Sequence, residues 1–342
     1  MSDVAVVGAG AWGTALSIVL GRKGTHRVRL WAYEQEVCKS IATRRTNDLF
    51  LPGQKVPEPV TPTNDLATAV TGAQLIVVVV PSHHYRRVFA QMAPHLSPEM
   101  LFVSAAKGIE NDSLMRMTEV AHDVVRQKRP EFALRIGALS GPTFAKEVAL
   151  GDPTAITIAS TDAQLAATVQ RELGDPAFRV YTNDDVAGVE LGGALKNIIA
   201  IAAGVCDGLG LGHNTVAALI TRGLAEITRL VMACGGRRET MLGLAGMGDL
   251  VLTCTGGLSR NRTVGVELGR GRRLNDIIAG MHGMVAEGVL TTNAAVDLAR
   301  KHGVEMPITA QMRQILHDGK PARDAIRELM TRPATSEAVL GS

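Results

Sequence analysis

Aromatic residues are scarce in this chain, and none occurs after Tyr181. Only eleven of the 342 residues are Phe, Trp or Tyr. Eleven of the 14 prolines also lie before Asp184. The composition therefore predicts two regions of different architecture. A pocket in the second region has no planar ring to stack on, which favours a small aliphatic ligand.

Cysteines are also few, and the residues show no metal-ligand spacing. The four cysteines have no CxxC spacing, which argues against a zinc ribbon or a dithiol redox motif, and they are typical of reduced residues in a cytosolic protein. His83 and His84 are adjacent, and no third ligand follows at metal spacing. The sequence therefore predicts no metal site.

Long apolar runs and strong net charge are absent. The longest apolar run, Ile198–Cys206, has nine residues, whereas a membrane-spanning helix needs ~20. A strand pattern begins at Val4, which leaves no room for a signal peptide. The net charge of +3 is too small to indicate nucleic-acid binding, and 46% hydrophobic residues exclude a disordered chain. We therefore expect a soluble, cytoplasmic protein without membrane insertion.

Residues 1–185 alternate short apolar runs with amphipathic stretches, which predicts a mostly parallel sheet with crossover helices. The predicted strands are Val4–Val7, Val28–Trp31, Leu75–Val80, Leu101–Ala105, Ile136–Leu139, Ala155–Ala159 and Arg179–Tyr181. Residues 186–332 carry almost no strand pattern and predict an all-helical domain, and residues 333–342 resemble a disordered tail. The expected fold class is therefore a Rossmann-like, doubly wound α/β domain followed by a helical domain.

A glycine-rich loop follows the first predicted strand directly. Gly8, Gly10 and Gly13 match the GxGxxG pattern, between a strand and a helix. The first glycine permits a tight turn, the second lets the backbone approach a pyrophosphate, and the third lets helix pack on strand. The helix N-terminus then favours the negative charge of the pyrophosphate. This arrangement predicts dinucleotide binding.

The second strand ends about twenty residues further on, where the ribose end of a dinucleotide is recognised. Glu34 suits the 2′-hydroxyl of NAD, whereas Arg44 and Arg45 suit the 2′-phosphate of NADP or are solvated surface residues. Tyr33 suits packing beside the adenine-ribose end. The sequence leaves NAD and NADP open as cofactors.

Lys196 stands in an otherwise apolar helical stretch. Burial disfavours a charged ammonium, which suits a group that takes the hydroxyl proton of an alcohol. The alternative is a lysine that reaches from a buried helix to solvent. Lys107 follows another apolar strand, where it either faces the ligand crevice or lies in solvent.

Three further polar segments are candidates for ligand binding. Pro142 suits the first turn of a helix, which leaves N–H groups and the Thr143 hydroxyl available to an anion or a hydroxyl. The alternative is an ordinary helix start with Ser140 as its cap. Asp249 is expected either to hydrogen-bond Lys196 or a substrate hydroxyl, or to cap the turn at Leu250–Thr253. Ser259 is expected to cap a helix that begins at Arg260, a combination that suits a phosphate or is a solvated helix end.

The motifs together resemble those of the soluble, bacterial type of NAD(P)-dependent glycerol-3-phosphate dehydrogenase. They appear in family order from residue 4 to about residue 330 and include Gly8–Ala15, Phe50–Gly53, Val79–Ser82, Ala106–Glu110, Ser140–Ala145, Leu195–Ala200, Gly246–Leu250 and Thr253–Thr255 with Ser259–Arg262. The resemblance implies interconversion of sn-glycerol 3-phosphate and dihydroxyacetone phosphate, with Lys196 as proton acceptor and donor.

The resemblance also implies residue roles. It assigns these residues to the substrate: Lys107, Gly141, Thr143, Lys196, Asp249, Ser259, Arg260 and Asn261. It assigns these residues to the cofactor: Gly8, Gly10, Ala11, Trp12, Gly13, Tyr33, Lys107, Ala145, Arg260, Val285 and Glu287. It further implies a homodimer and a supply of glycerol 3-phosphate for phospholipid synthesis.

Two alternatives remain on the residues alone. A β-hydroxyacid or sugar-acid dehydrogenase would keep the fold and use Arg260 to bind a carboxylate. A non-catalytic nucleotide sensor would bind the dinucleotide without turnover, although Lys107, Lys196 and Asp249 argue against an inactive site.

Overall fold

The computed structural model describes residues 2–281, 285–334 and 336. The chain forms two compact units. The first contains Met1–Lys107 and Met117–Val186, and the second contains Gly108–Arg116 and Ala187–Ser342. The predicted tail at 333–342 lies largely outside the described residues.

An eight-stranded sheet forms the centre of the described part of the first unit, in the order β10-β9-β8-β7-β6-β1-β2-β5. A two-stranded antiparallel pair, β3 and β4, accompanies it. The strands are β1 (Ser2–Val7), β2 (His26–Trp31), β3 (Thr46–Asn47), β4 (Leu51–Lys55), β5 (Val60–Thr63), β6 (Leu75–Val78), β7 (Leu101–Ser104), β8 (Arg135–Ser140), β9 (Thr154–Ala159) and β10 (Phe178–Asn183).

Pairing in the large sheet is parallel except between β8 and β9. The central strands consist largely of β-branched residues that are buried on both faces, as in β1, where Val4 and Val7 are fully buried. Strand order reverses at β1, which pairs with β2 on one side and β6 on the other. Ligands of such sheets bind at the carboxyl ends of strands beside this reversal.

Helices cover the sheet. Those of the first unit are α1 (Ala11–Arg22), α2 (Gln35–Arg44), α3 (Leu66–Val70), α4 (Ser82–Met92), α5 (Met117–Lys128), α6 (Ala145–Leu150) and α7 (Ala163–Leu173), with a 3₁₀ turn at Ala93–His95. All seven predicted strands are present, and the fold class predicted from the sequence is confirmed.

The second unit is helical and has a core of its own, built largely on the apolar residues of its longest helix. Its helices are α8 (Val186–Gly208), α9 (His213–Ala233), α10 (Arg238–Met241), α11 (Asp249–Thr255), α12 (Arg260–Gly269), α13 (Leu274–Ala279), α14 (Glu287–Lys301), α15 (Pro307–His317) and α16 (Ala322–Met330). A π-helical turn at Leu244–Gly248 leads directly into α11.

Helix α8 is long and apolar enough to cross a membrane by length and composition alone. Its most apolar 18-residue window has a mean hydropathy of 1.5, and all of this window is buried inside the protein. A helix buried in this way is the core helix of a folded domain, since its apolar surface already has protein partners.

The structure corrects three local expectations. The helix expected near Pro142 begins only at Ala145, so Ser140 ends β8 and does not cap a helix. Strands β3, β4 and β5 and helices α10 and α11 were not predicted as elements. The segment Gly108–Arg116 belongs to the second unit, although the alternation of strands and helices on either side of it is continuous.

Candidate active site and dinucleotide loop

The glycine loop connects β1 to α1, and each glycine meets a different constraint. Gly8 has a φ of +119°, and a Cβ there would lie 2.9 Å from the carbonyl oxygen of Val79, so the turn requires glycine. A Cβ at Gly13 would lie 1.8 Å from the carbonyl oxygen of Gly8, which allows no side chain. A Cβ at Gly10 would have no heavy atom within 4 Å. The loop therefore has no space for a side chain at Gly8 or Gly13, whereas the space around Gly10 is open.

Helix α1 begins at this opening, with Gly10 as its N-cap and no acidic residue in its first turn. The positive end of the helix dipole and the N–H groups of the first turn favour an anion there. Ala11 and Trp12 are partly buried at the start of α1 and pack on the core, as does Ala145 at the start of α6. The loop fits the pyrophosphate of a dinucleotide.

The end of β2 carries the residues expected near the adenine-ribose moiety. Tyr33 is 70% exposed and lies edge-on to Trp31, with 6.2 Å between the ring centroids. The guanidinium of Arg45 donates to the backbone carbonyl oxygens of Val56 and Pro57, so this arginine anchors a loop. Arg44 is exposed and contacts the Asp48 carboxylate at 2.7 Å. Glu34 and Arg44 therefore remain the residues at this end that can distinguish NAD from NADP.

Lys107, Gly141 and Thr143 converge on one carbonyl group in the first unit. Lys107 Nζ donates to the Gly141 carbonyl oxygen at 3.2 Å, and Thr143 Oγ1 donates to the same oxygen at 3.1 Å. A Cβ at Gly141 would lie 3.1 Å from the Cα of Ile156, so the backbone passes close to β9. These contacts hold a lysine side chain beyond the carboxyl end of β7.

Lys196 lies on α8 and is buried, with a side chain only 7% exposed. Its Nζ donates to Asp249 Oδ1 and, at 2.7 Å, to Thr253 Oγ1. Thr253 Oγ1 in turn donates to the backbone carbonyl oxygen of Asp249 at 2.6 Å. Asp249 is 1% exposed and is the first residue of α11, whose N-cap is Gly248. The structure therefore shows the predicted hydrogen bond between Asp249 and Lys196, and Asp249 is not the cap of this helix.

Two opposing effects act on the amine of Lys196. Burial disfavours the charged ammonium, as expected from the sequence, whereas a carboxylate in contact favours it. A buried pair of this kind is stable only when hydrogen bonds satisfy both charges, and Thr253 supplies one of them. The arrangement can therefore hold a proton on Nζ and exchange it with a bound hydroxyl or carbonyl group.

Helix α12 begins next to α8, the helix that carries Lys196. Ser259 is its N-cap, and the serine hydroxyl accepts a hydrogen bond from the Arg262 N–H at 3.2 Å, as predicted. Asn261 is buried: its Nδ2 donates to Asn197 Oδ1 at 2.9 Å, and its Oδ1 accepts from the Gly288 N–H at 3.0 Å. Asn197 directly follows Lys196. Asn261 thus connects α12 to α8 and to the start of α14.

Arg260 is exposed at the N-terminus of α12, whose first turn has no acidic residue. Surrounding protein partly excludes water from its guanidinium, which lowers the pKa of Arg260, and the Glu287 carboxylate opposes this shift. Glu287 begins α14, and Val285 lies two residues before it. Residues 282–284, which precede Val285, lie outside the described residues. An arginine at a helix start is a suitable phosphate ligand.

The structure thus places Lys107, Gly141 and Thr143 together in the first unit, and Lys196, Asp249, Asn261 and their neighbours together in the second. Sequence reasoning missed Thr253 and Asn197 as parts of this chemistry. The spacing of Asp249 and Thr253, four residues apart on one helix, was an available indication. Among the described residues, no group of three His, Cys, Asp or Glu side chains is arranged to hold a metal ion.

A doubly wound sheet with an open glycine loop, joined to a helical unit with a buried lysine-carboxylate pair, defines a nicotinamide-dependent dehydrogenase. Family models for the N-terminus and the C-terminus of NAD-dependent glycerol-3-phosphate dehydrogenase match residues 3–166 and 185–327. The chain belongs to this family, which confirms the resemblance identified from the sequence motifs.

Individual relatives are similar to this chain over nearly its whole length. It is 71% identical over 340 residues to glycerol-3-phosphate dehydrogenase [NAD(P)+] of Koribacter versatilis, covering 99% of this chain and 100% of the relative. It is 56% identical to the enzyme of the same name from Geobacter sulfurreducens, with 98% of each chain covered. A crystal structure of glycerol-3-phosphate dehydrogenase from Coxiella burnetii superposes with a TM-score of 0.91 at 41% identity, covering 97% of this chain and 99% of that one.

Proposed function

We propose that this chain interconverts sn-glycerol 3-phosphate and dihydroxyacetone phosphate with NAD or NADP, and that Lys196 carries the proton. The observation on which the proposal rests is the buried hydrogen-bonded group of Lys196, Asp249 and Thr253. Family membership supports the substrate pair.

The cofactor supplies a hydride acceptor or donor when bound. The residues present fit it, because the glycine loop is open at Gly10 and the first turn of α1 carries no negative side chain. Gly8, Gly10, Ala11, Trp12 and Gly13 would hold the pyrophosphate end. Tyr33, Lys107, Ala145, Arg260, Val285 and Glu287 would contact the rest.

Oxidation of the alcohol requires that the C2 carbon loses a hydride and the C2 hydroxyl loses a proton. Nζ of Lys196 takes this proton, the electron pair of the O–H bond forms the C=O bond, and the carbon-bound hydrogen leaves with its electron pair. Reduction follows the reverse order, with the ammonium as the proton donor. Asp249 stabilises the ammonium, and Thr253 fixes the direction of Nζ.

The substrate phosphate would bind at the start of α12. Arg260 offers a charged, two-pronged donor, and the helix N-terminus beside Ser259 and Asn261 adds a positive dipole. Lys107, with Gly141 and Thr143, would polarise the substrate oxygen. Fixing the phosphate places the reacting carbon at one distance from the lysine, which reduces the entropy lost in the transition state.

We further propose that the protein is a cytoplasmic homodimer and that its glycerol 3-phosphate enters phospholipid synthesis. Family membership supports these statements. Size-exclusion chromatography with light scattering would test the dimer, and a mass equal to one 36.2 kDa chain would contradict it.

Replacement of the lysine tests the reaction. Lys196→Ala should lower kcat by about 10²–10⁴, because a positioned proton carrier contributes that factor. NADH affinity and the circular dichroism spectrum should stay close to those of the unaltered protein. Lys301→Ala, at an exposed position late in α14, is the matched control and should keep full activity.

Near-normal turnover by Lys196→Ala would exclude the proton role. Substrate choice is tested separately, with dihydroxyacetone phosphate compared with unphosphorylated dihydroxyacetone. Saturation by the first and not by the second is expected if Arg260 binds a phosphate. Equal rates would show that Arg260 does not bind a phosphate. Turnover of a hydroxyacid with neither dihydroxyacetone compound accepted would favour a hydroxyacid dehydrogenase of the same fold.

A further inference from the structure

Asn47, on the short strand β3, is a fully buried polar residue that has no part in the proposed chemistry. Its Nδ2 donates at 2.8 Å to the carbonyl oxygen of Ala9 and at 2.8 Å to Thr14 Oγ1. Its Oδ1 accepts the N–H of Phe50 at 3.1 Å. Every polar atom of this amide is therefore used. One donor contact reaches the glycine loop at Ala9, and the other reaches Thr14 in the first turn of α1.

The carbonyl group of Ala9 belongs to the peptide unit between Ala9 and Gly10, that is, between the first two glycines of the motif. Thr14 Oγ1 also donates to this oxygen, at 3.2 Å. A trans peptide is planar, and its C=O and N–H groups point in opposite directions. Two donors that hold the Ala9 oxygen therefore also hold the Gly10 N–H on the other side, away from Asn47.

These hydrogen bonds matter because a glycine does little to restrict the rotation of the Ala9–Gly10 peptide. Gly10 has no Cβ, and its surroundings are open, so neither its own side chain nor a neighbouring atom would prevent the peptide from turning. Gly10 is also the N-cap of α1, where an outward N–H adds to the positive helix end. The orientation of this single N–H depends on the Ala9 oxygen and its two donors.

We propose that Asn47 is a positioning residue of the dinucleotide site, which fixes the Ala9–Gly10 peptide so that the Gly10 N–H faces the pyrophosphate. The proposal rests on the dinucleotide binding in the proposed function. Asn47 does not touch the cofactor. It lowers the cost of binding because the donor is already in place before the ligand arrives.

A purely structural role for Asn47 makes a different prediction. The bond from the Phe50 N–H would anchor the β3–β4 segment, and its loss would lower stability without a specific effect on the cofactor. Asn47→Asp separates the two roles, because a carboxylate still accepts from Phe50 but cannot donate to Ala9. Asn47→Ala removes all three hydrogen bonds of the amide and adds no charge near the pyrophosphate.

The experiment is calorimetric titration of each folded variant with NADH alone, followed by steady-state kinetics. Asn47→Asp and Asn47→Ala should each bind NADH about tenfold more weakly, which corresponds to about 1.4 kcal/mol. The KM for NADH should rise by a similar factor. The KM for dihydroxyacetone phosphate, and kcat at saturation, should change less than about twofold, since only one site loses a preset donor.

Gln170→Glu is the matched control. Gln170 Nε2 donates to the backbone carbonyl oxygen of Val180 at 2.8 Å, so this variant also removes an amide donor from a carbonyl group, at the edge strand β10. It should bind NADH with unchanged affinity.

Normal NADH affinity in both Asn47 variants would overturn the proposal, and so would weak binding in Asn47→Asp with normal binding in Asn47→Ala, which would indicate charge repulsion. If neither variant folds, Thr14→Val removes the second donor, and NADH affinity unchanged by it would overturn the proposal as well. Failure of the unaltered protein to bind either NADH or NADPH would contradict the proposed function instead.

Discussion

Thr253 accepts a hydrogen bond from Lys196 Nζ at 2.7 Å while its own hydroxyl donates to the carbonyl oxygen of Asp249 at 2.6 Å. A hydroxyl has one hydrogen, and the Asp249 carbonyl group takes it. The lone pairs of Thr253 must therefore face the lysine. This makes Thr253 a fixed acceptor, which aligns Nζ in its protonated form.

Removal of this acceptor should impair turnover more than folding. Thr253→Val keeps the size of the side chain and should lower kcat about tenfold, because a buried donor on Lys196 loses its partner. Thr253→Ser should restore most of the rate, and the pH at which kcat is half-maximal should shift in the valine variant only. Steady-state kinetics across pH measures both effects.

Thr255→Val provides the control for this prediction. Thr255 lies on the same helix, and its hydroxyl donates to the carbonyl oxygen of Val251 at 2.8 Å, but it is exposed. A similar loss of kcat in Thr255→Val would show that any threonine of α11 matters for folding, and the aligning role of Thr253 would be wrong.

Replacement of Gly10 and of Gly13 by alanine should affect the free energy of unfolding very differently. Gly13→Ala should lower the free energy of unfolding by about 3 kcal/mol or more, because the Cβ would overlap the backbone oxygen of Gly8. Gly10→Ala has space for its Cβ and an ordinary φ of −65°, so the free energy of unfolding should change by less than about 0.5 kcal/mol.

The affinity for the cofactor should show the reverse order, with Gly10 more sensitive to replacement by alanine than Gly13. The methyl group of Gly10→Ala would occupy the opening before α1 and should weaken NADH binding about tenfold or more, since the backbone could no longer approach the pyrophosphate. Chemical denaturation and NADH titration of the two variants measure the contrast. Equal NADH affinity of Gly10→Ala and the unaltered protein would place the pyrophosphate elsewhere.

His26 should make the first unit sensitive to mild acid. It is 1% exposed, its Nε2 donates to the Glu172 carbonyl oxygen, and its Nδ1 lies 2.8 Å from Ser2 Oγ. Burial lowers the pKa of His26 below its ordinary value of 6.5, and the contacts with Glu172 only partly oppose this. The unfolded chain therefore binds a proton more readily, so stability falls as the pH drops below 6.5.

His26→Gln should flatten that dependence, because glutamine offers a donor and an acceptor but does not titrate. We expect the loss of Tm between pH 7.5 and pH 5.5 to be smaller in His26→Gln than in the unaltered protein. His302→Gln, at an exposed position, should show the original dependence. An unchanged pH dependence in His26→Gln would exclude this histidine as the acid-sensitive group.

The sequence predicts the elements that follow from hydrophobic pattern and glycine chemistry. Runs such as Leu75–Val80 are apolar throughout, which is typical of a strand buried on both faces, and the structure has β6 there. Ser259 was recognised as a helix cap because serine before an arginine-rich helix start satisfies a free N–H. These signals are local, so a single sequence contains them.

Contacts between residues that are far apart in the chain could not be predicted from the sequence. Asn47 lies 38 residues from Ala9, and nothing near it in sequence indicates that its amide reaches the glycine loop. Asn261 likewise contacts Asn197 across 64 residues. The late start of α6 has a local cause, since Gly141 and Thr143 form a bend held by their own hydrogen bond before the helix can begin.

The segment Gly108–Arg116 leaves the first unit after Lys107, joins the helical one, and returns at Met117. Arg116 pairs there with Glu190 of α8 at 2.9 Å, both side chains largely shielded from water. A gene cut at residue 186 would therefore not yield two self-sufficient products. The upstream fragment would carry nine residues whose partners had been left on the other piece, among them an arginine separated from its carboxylate.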